Sequence, residues 1–358
     1  MTKKSELSIV DLILELLKDS DRKSISRMVA EICYLAFNYR CIPTYYFSRY
    51  LFKKERTNIL DYLPNKLLYP IKPRFNDEDA WDVVENKLYF DFFYSQFNLS
   101  LPQILMYNHK NVFVLNSIKY HIHDVAEFSR LLSELMPLHG SRNSLFIKKT
   151  YWSYNSDHIY KLFIQELREP EKIETLYAEV IKSGFLFQET ITQHKELDRF
   201  NPSCVNTIRF DTFIDQHGKA EIISAYFRTN IKNGYVDNNR VGGCEISVSL
   251  ETGKLKKYGH LTIKSNGVKL PTEHPITKMV FENFSIPYFD QARELVIKAA
   301  SLMPCLRLVG WDVAIGETGP ILIEGNADYD IPSSDLAYGG YRANPVFRKV
   351  LDEINFKY

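Results

Sequence analysis

Apolar positions recur at helical spacing near the start of the chain, where Ile9, Leu12, Ile13, Leu16 and Leu17 alternate with polar residues. Ser8 and Asp11 have capping-box spacing, so the pattern predicts a helix over 8–18. The aromatic stretch CYLAFNYRCIPTYYFSRYLF and the polar segment KKERTNILDYLPNK continue a mostly helical region, 1–70. It gives way near Pro70 and Pro73 to a mixed segment, 71–140. From Leu145 the pattern becomes a strand, LFIKKTYW, and then a helix, PEKIETLYAEVIKSG, with Gly184 as a left-handed C-terminal stop. The strand FLFQETI follows at once. Four β-rich runs separated by turns come next, CVNTIRFDTFID, AEIISAYFRTNI, GGCEISVSLETGKL and KYGHLTI, then the helix FDQARELVIKAASLM. The layout is α+β, with 141–200 and 201–358 as two parts of one C-terminal domain.

The last two strands lie in GWDVAIGETGPILIEGNADYD, residues 310–330, on either side of a glycine-rich turn that reads as a hairpin. Setting Ile315 opposite Ile321 puts Asp312 opposite Glu324, and alternation brings Asn326 to the same face. Opposed carboxylates repel, so a positive group is expected between them, and neutralising either acid is expected to leave the ligand-free fold level or more stable. Carboxylate and amide oxygens without histidine or cysteine suit Mg²⁺ or Mn²⁺ better than zinc. The alternative is a hairpin whose acids merely face solvent.

Composition sets limits on the rest. At 358 residues, 45% hydrophobic and 25% charged, the chain is long enough for two or three packed parts. A net charge of +1 gives no global reason to bind nucleic acid or an anionic membrane. The five cysteines are odd in number, widely spaced and free of CxxC pairs, which points away from a disulfide framework or zinc site and toward a reducing cytoplasm. The N-terminal pattern is broken by acids, unlike a signal peptide, and no apolar run reaches the roughly 18 residues of a membrane helix. Tyrosine and phenylalanine, 23 each, supply aromatic surface for docking on a partner.

No GxxxxGK[ST] or GxGxxG motif is present, so any nucleotide needs a different cradle. Lys148 and Lys149 lie on a strand that ends in a loop, where one of them, pointing inward, would neutralise phosphate; the alternative is a pair of solvated lysines. FLFQETI is an apolar strand with a polar end, where the backbone of Glu189 to Ile191 can read the rim of a flat heterocycle. Arg209 and Arg228, on successive strands, can clamp phosphate or carboxylate, or serve as surface ion-pair partners. His121 and His123 lack a third metal ligand at recognisable spacing, and Cys204 and Cys244 read as buried structural thiols.

The order of inward lysine, FLFQETI, NPSCVNTIRFDT, RVGGCEISVSLETGKL, GWDVAI and ILIEGNADYD resembles the ATP-grasp superfamily, and most closely its sugar-transfer-associated family. The likeness runs from about residue 30 to the C-terminus and is most specific in NTIR, in GG with the following ETG, and in the final acid, Glu-Gly-Asn pattern. It implies an ATP-grasp fold, with ATP held between two α+β subdomains after a helical N-terminal region. It also implies Lys148 on the phosphates, the backbone from Gln188 through Glu189 and Thr190 to Ile191 on adenine, and Glu196 on the ribose. Asp312, Glu324 and Asn326 would hold Mg²⁺, with Mn²⁺ as the substitute, and Arg209, Arg228 and Arg240 would act on the reacting groups.

One departure stands out. No glycine occurs between Gly140 and Gly184, whereas ATP-grasp proteins usually carry a glycine-rich lid after the first lysine; Ser153 and Ser156 remain as hydroxyl donors. The expected activity is ATP-dependent ligation of a carboxylate to an amine through an acyl phosphate, with small, sugar-linked substrates from cell-surface polysaccharide or secondary metabolism. A phosphotransferase with a hydroxyl acceptor and an inactive nucleotide-binding module are the alternatives.

Overall fold

The computed structural model of the chain describes residues 7–138, 144–151, 158–232, 243–263 and 267–356. Two six-stranded sheets, each antiparallel throughout, organise them, in the orders β3-β2-β1-β6-β4-β5 and β10-β9-β8-β7-β11-β12. The first uses β1 (Ile104–His109), β2 (Val112–Leu115), β3 (Ile118–His121), β4 (Ser144–Lys149), β5 (Ile159–Phe163) and β6 (Gly184–Glu189). The second uses β7 (Thr207–Ile214), β8 (Ala220–Asn230), β9 (Gly243–Val248), β10 (Leu255–His260), β11 (Leu308–Ile315) and β12 (Pro320–Asn326). β1 pairs with β6, so hydrogen bonding crosses residue 140, and a division there cuts the first sheet in two.

Helices α1 (Ile9–Lys18) and α2 (Ile25–Tyr39) open the chain, and α1 carries the expected reciprocal capping box between Ser8 and Asp11. Helix α3 (Lys87–Tyr94) starts at Asn86, whose side chain accepts from the amides of Leu88 and Tyr89. Helices α4 (Val125–Leu138) and α5 (Pro170–Val180) cover one face of the first sheet, where Leu145, Ile147, Phe185 and Phe187 join Phe128, Leu132 and Val180 in a single core. Helix α5 ends four residues before Gly184, which is not its left-handed stop but the first residue of β6. A Cβ on Gly184 would stand 2.9 Å from Thr150 Oγ1 and 3.3 Å from the Asn108 carbonyl, so close packing is what requires glycine there.

The second sheet has two unlike faces. Phe210, Phe227, Ile246, Trp311 and Val313 turn toward α6 (Phe289–Ser301) and toward Phe90 and Tyr94 of α3 in the largest apolar core. The alternate residues, Arg209, Asp211, Ser224, Tyr226, Glu245 and Asp312, are polar and buried. Further along that face, Ile223 and Leu308 pack against α7 (Ile331–Tyr338) and α8 (Pro345–Glu353). Among the described residues no helix is long and apolar enough to cross a membrane.

Candidate active site

The two sheets are joined by two segments. Beyond β6, the chain runs through Gln193, which bridges to Gly316, and His194, whose N–H donates to the Ile315 carbonyl at 2.8 Å. Ser100 accepts from Leu322 N–H of β12 at 2.8 Å, while Pro102 accepts from the Gln188 side chain at 3.2 Å and Gln103 from Glu189 N–H at 3.0 Å. Between these ties lies a small gap lined by Lys148, Leu186 and Gln188 of the first sheet, Ile323 of the second, and Lys87 and Asp91 of α3.

Strand geometry settles which lysine faces this gap. Leu145 and Ile147 are buried under the helices, so Phe146 and Lys148 occupy the opposite face of β4, and Lys149 falls back on the helix side. Lys148 Nζ donates to Gln188 Oε1 at 3.0 Å and lies 5.6 Å from the centre of the Phe146 ring. Of the four residues from 188 to 191, Gln188 reaches the gap with its side chain, and Glu189 spends its N–H on Gln103 and accepts from Gln103 N–H at 2.9 Å. Thr190 uses its hydroxyl on the Ser144 carbonyl at 2.9 Å, and Ile191 is buried. The main-chain groups of Thr190 and Ile191 take no part in the backbone hydrogen bonds between described residues. Glu196 is partly exposed on a short helix and pairs with Arg199 at 2.7 Å, which, partly offset by desolvation, holds its carboxyl below the usual range.

The hairpin pairs Asp312 with Glu324, as the alternation implies, but by a different register. Ile315 lies opposite Pro320 and Ala314 opposite Ile321; an extra residue, Ile323, bulges out before Glu324 and restores the pairing. Asp312 is no hydrated acid: it is buried, with Arg209 directly opposite on β7. Arg209 Nε and Nη2 donate to its two oxygens at 2.5 and 2.9 Å, and Arg228 Nη1 donates to both at 2.9 and 3.1 Å. Burial alone would raise the Asp312 pKa, but Arg209 and Arg228 outweigh it and hold the carboxyl well below the usual range. Burial likewise opposes the charge on Arg209, and Asp312 overcomes it. Gly310 makes room for this fork, since a Cβ there would meet Tyr329 Cβ at 3.0 Å and Arg209 Nη1 at 3.1 Å.

Glu324 is balanced by Lys87 of α3, Nζ to Oε2 3.0 Å, a residue that the sequence pattern did not single out. The expected repulsion between the two acids is therefore met by protein cations. Asn326 lies opposite Gly310, and its side-chain nitrogen is buried without a hydrogen-bond partner among the described residues. Since the two ends of an amide are interchangeable in assignment, that position suits an oxygen toward a cation. Among the described residues no three His, Cys, Asp or Glu side chains cluster to hold a metal, so a cation here depends on the Asn326 amide beside the two acids. The donor set is hard oxygen and fits Mg²⁺ on one condition. Arg209 makes one contact to each Asp312 oxygen and Arg228 Nη1 bridges the two, so the carboxylate charge is already shared by two guanidinium groups, and the condition is that a metal competes with Arg228 for it.

Arg209, Arg228, Asp312 and Glu324 thus form one charged row across three strand pairings, with Lys148 on the other sheet. Arg240, Ser153 and Ser156 lie outside the described residues. Cys244 sits in the apolar core, where burial pushes its thiol up, and Cys204 is also buried.

Asp91, one turn along α3 from Lys87, lines the gap as well, and burial pushes its carboxyl up to about 6. Because this exceeds the ordinary aspartate value of ~4, the folded state holds more protons between those limits, and stability falls as pH rises through that window. With allowance for water on its exposed side, the penalty above pH 6 is on the order of 1 kcal/mol. Asp91→Asn is expected to raise the melting temperature at pH 8 and leave it unchanged near pH 4; equal melting at both pH values would contradict this account of Asp91.

Two antiparallel sheets meeting at a lysine-lined gap, with a row of arginines and acids on the second sheet tied to that gap through Lys87, make the arrangement that of an ATP-grasp protein. The chain matches the model of the sugar-transfer associated ATP-grasp family over residues 69–346 and belongs to that family. No curated protein matches it. Among solved structures, D-alanyl-alanine synthetase A from Vibrio cholerae is 13% identical with a TM-score of 0.39, over 76% of this chain and 60% of that one. D-alanine–D-alanine ligase from Bacillus anthracis, complexed with ATP, is 11% identical with a TM-score of 0.39, over 76% and 64%. Biotin carboxylase from Campylobacter jejuni is 8% identical with a TM-score of 0.44, over 75% and 46%. The chain therefore spans less than two thirds of each of these proteins.

Proposed function

We propose that this protein is an ATP-dependent ligase that joins a carboxylate to an amine, with Mg²⁺, or Mn²⁺ in its place, as the metal. The observation that carries the reading is the row Arg228, Arg209, Asp312 and Glu324 on one sheet, linked through Lys87, the partner of Glu324, to the gap that Lys148 of the other sheet lines. Lys148 and Lys87 would take the phosphates as point charges, and the peptide edges at Thr190 and Ile191 would take the adenine rim, with Glu196 on the ribose. Glu324, Asn326 and, once Arg228 has moved, Asp312 would hold the metal, which when bound neutralises phosphate charge and favours transfer of the γ-phosphoryl group. Arg228, shifted from Asp312, would orient the acceptor carboxylate, with Arg240 as its partner in that role, while Arg209 keeps Asp312 in place.

Attack of the carboxylate on the γ-phosphate gives an acyl phosphate and ADP, and the amine displaces phosphate to form the amide. The family supports a sugar-linked acid or amine as substrate, in cell-surface polysaccharide or secondary-metabolite synthesis. Five free cysteine thiols support a reducing, cytoplasmic setting. The test is a screen of pooled amino acids and sugar acids with pooled amines, scored by nucleotide product and product mass. ADP with an amide product is expected. AMP with pyrophosphate would overturn the phosphoryl-transfer reading, and a phosphate ester in place of an amide would make the protein a kinase.

A further inference from the structure

Exposed apolar surface is concentrated in the N-terminal helical region. Ten of the eighteen large apolar side chains exposed among the described residues fall between Val10 and Phe47. On α1 they are Val10, Ile13, Leu14 and Leu17, spaced i, i+3, i+4 and i+7 as in a helix face that packs on something. On α2, Ile25, Val29 and Phe37 follow at multiples of four, 54%, 55% and 83% exposed. The other sides of the same helices are already satisfied, since Leu16 of α1 and Met28 and Leu35 of α2 enter one aromatic cluster with Tyr46, Tyr50 and Phe52. Each helix therefore has an inner apolar stripe that the fold uses and an outer one that it leaves uncovered.

Two features choose among occupants. Among the described residues, the exposed ionisable residues of α1, α2 and the turns beside them are Asp11, Glu15 and Asp21 against Lys18, Arg27 and Arg40, three of each sign. Such balance gives no attraction to anionic lipid, but it suits pairing of the face with its own copy, where the acids of α1 meet the bases of α2. The eight of these side chains that α1 and α2 carry, taken at about half of their full area each, present roughly 700 Å² of apolar surface, close to the ~800 Å² per partner of a stable interface.

We infer that α1 and α2 form a two-fold dimer interface, with a second copy of this chain as the partner. The interface is isologous, so each substitution counts twice, and it lies on helices apart from the cleft. The test is sedimentation velocity of the full chain over roughly 1–50 µM, with and without Val29→Glu/Phe37→Glu. The wild type is expected to sediment as a dimer, and the double variant, with unchanged circular dichroism, as a monomer whose association is weakened about a hundredfold or more. Ile13→Glu/Leu17→Glu on α1 provides a second variant with the same expected outcome if the first loses structure. A monomeric wild type, or a dimer that persists in folded variants, would overturn the inference. So would a monomer that floats with phosphatidylcholine–phosphatidylglycerol vesicles, which would assign the face to lipid.

Discussion

Asp312→Asn is expected to destabilise the ligand-free protein by about 3–5 kcal/mol and to abolish ADP formation. The carboxylate is the shared counter-charge of Arg209 and Arg228, all three largely buried, and asparagine leaves two guanidinium groups facing one neutral amide. This is the reverse of what the hairpin alone predicts, where neutralising one of two opposed acids relieves repulsion. Glu324→Gln is expected to behave differently, since its partner Lys87 is partly exposed and the pair contributes about 1 kcal/mol or less. That variant should stay folded and lose most of the stabilisation by Mg-ATP. The pH dependence follows the same logic: the Asp312 contribution is complete above the ordinary aspartate value of ~4 and is lost as pH falls below it. An Asp312→Asn protein that melts with the wild type would remove the arginine fork from the account. Full Mg-ATP stabilisation in Glu324→Gln would remove the metal assignment.

Lys148→Met is expected to weaken Mg-ATP binding by at least tenfold, about 1.4 kcal/mol or more, while Lys149→Met changes it little. The two side chains leave β4 on opposite faces, and only Lys148 shares the gap with Gln188, Ile323 and Lys87. Calorimetric titration of both variants separates them. A silent Lys148→Met beside a damaging Lys149→Met would mean that the nucleotide approaches from the helix-covered face, which the core under α4 and α5 excludes.

The facing of Asp312 and Glu324 was legible in the sequence because it depends on a short local hairpin, and it survived an error of one residue in register because the bulge at Ile323 compensates. The counter-charges were not legible. Arg209 lies 103 residues before Asp312, and nothing local says that β7 rather than β8 or β9 pairs with β11. Alternation is also muted where a strand is buried on both faces: all eight residues of β7 and of β11 are buried, so polar Arg209 and Asp211 look out of place until the second face is known to be covered. Lys87 and Asp91 carried a readable signal, an Asn86 cap followed by charges four apart on an otherwise apolar helix, but their target becomes visible only once α3 is placed between the sheets. Gly184 shows the opposite failure, a glycine read through its conformational freedom that is there for lack of space.

Calorimetric titration of the wild-type protein with ATP, in the presence and absence of Mg²⁺, tests the central claim most directly. The account predicts saturable one-site binding that tightens at least tenfold with Mg²⁺, because Glu324 and Asn326 gain the cation and Lys148 the phosphates. Absence of binding heat at millimolar Mg-ATP, together with an unchanged melting temperature, would contradict it.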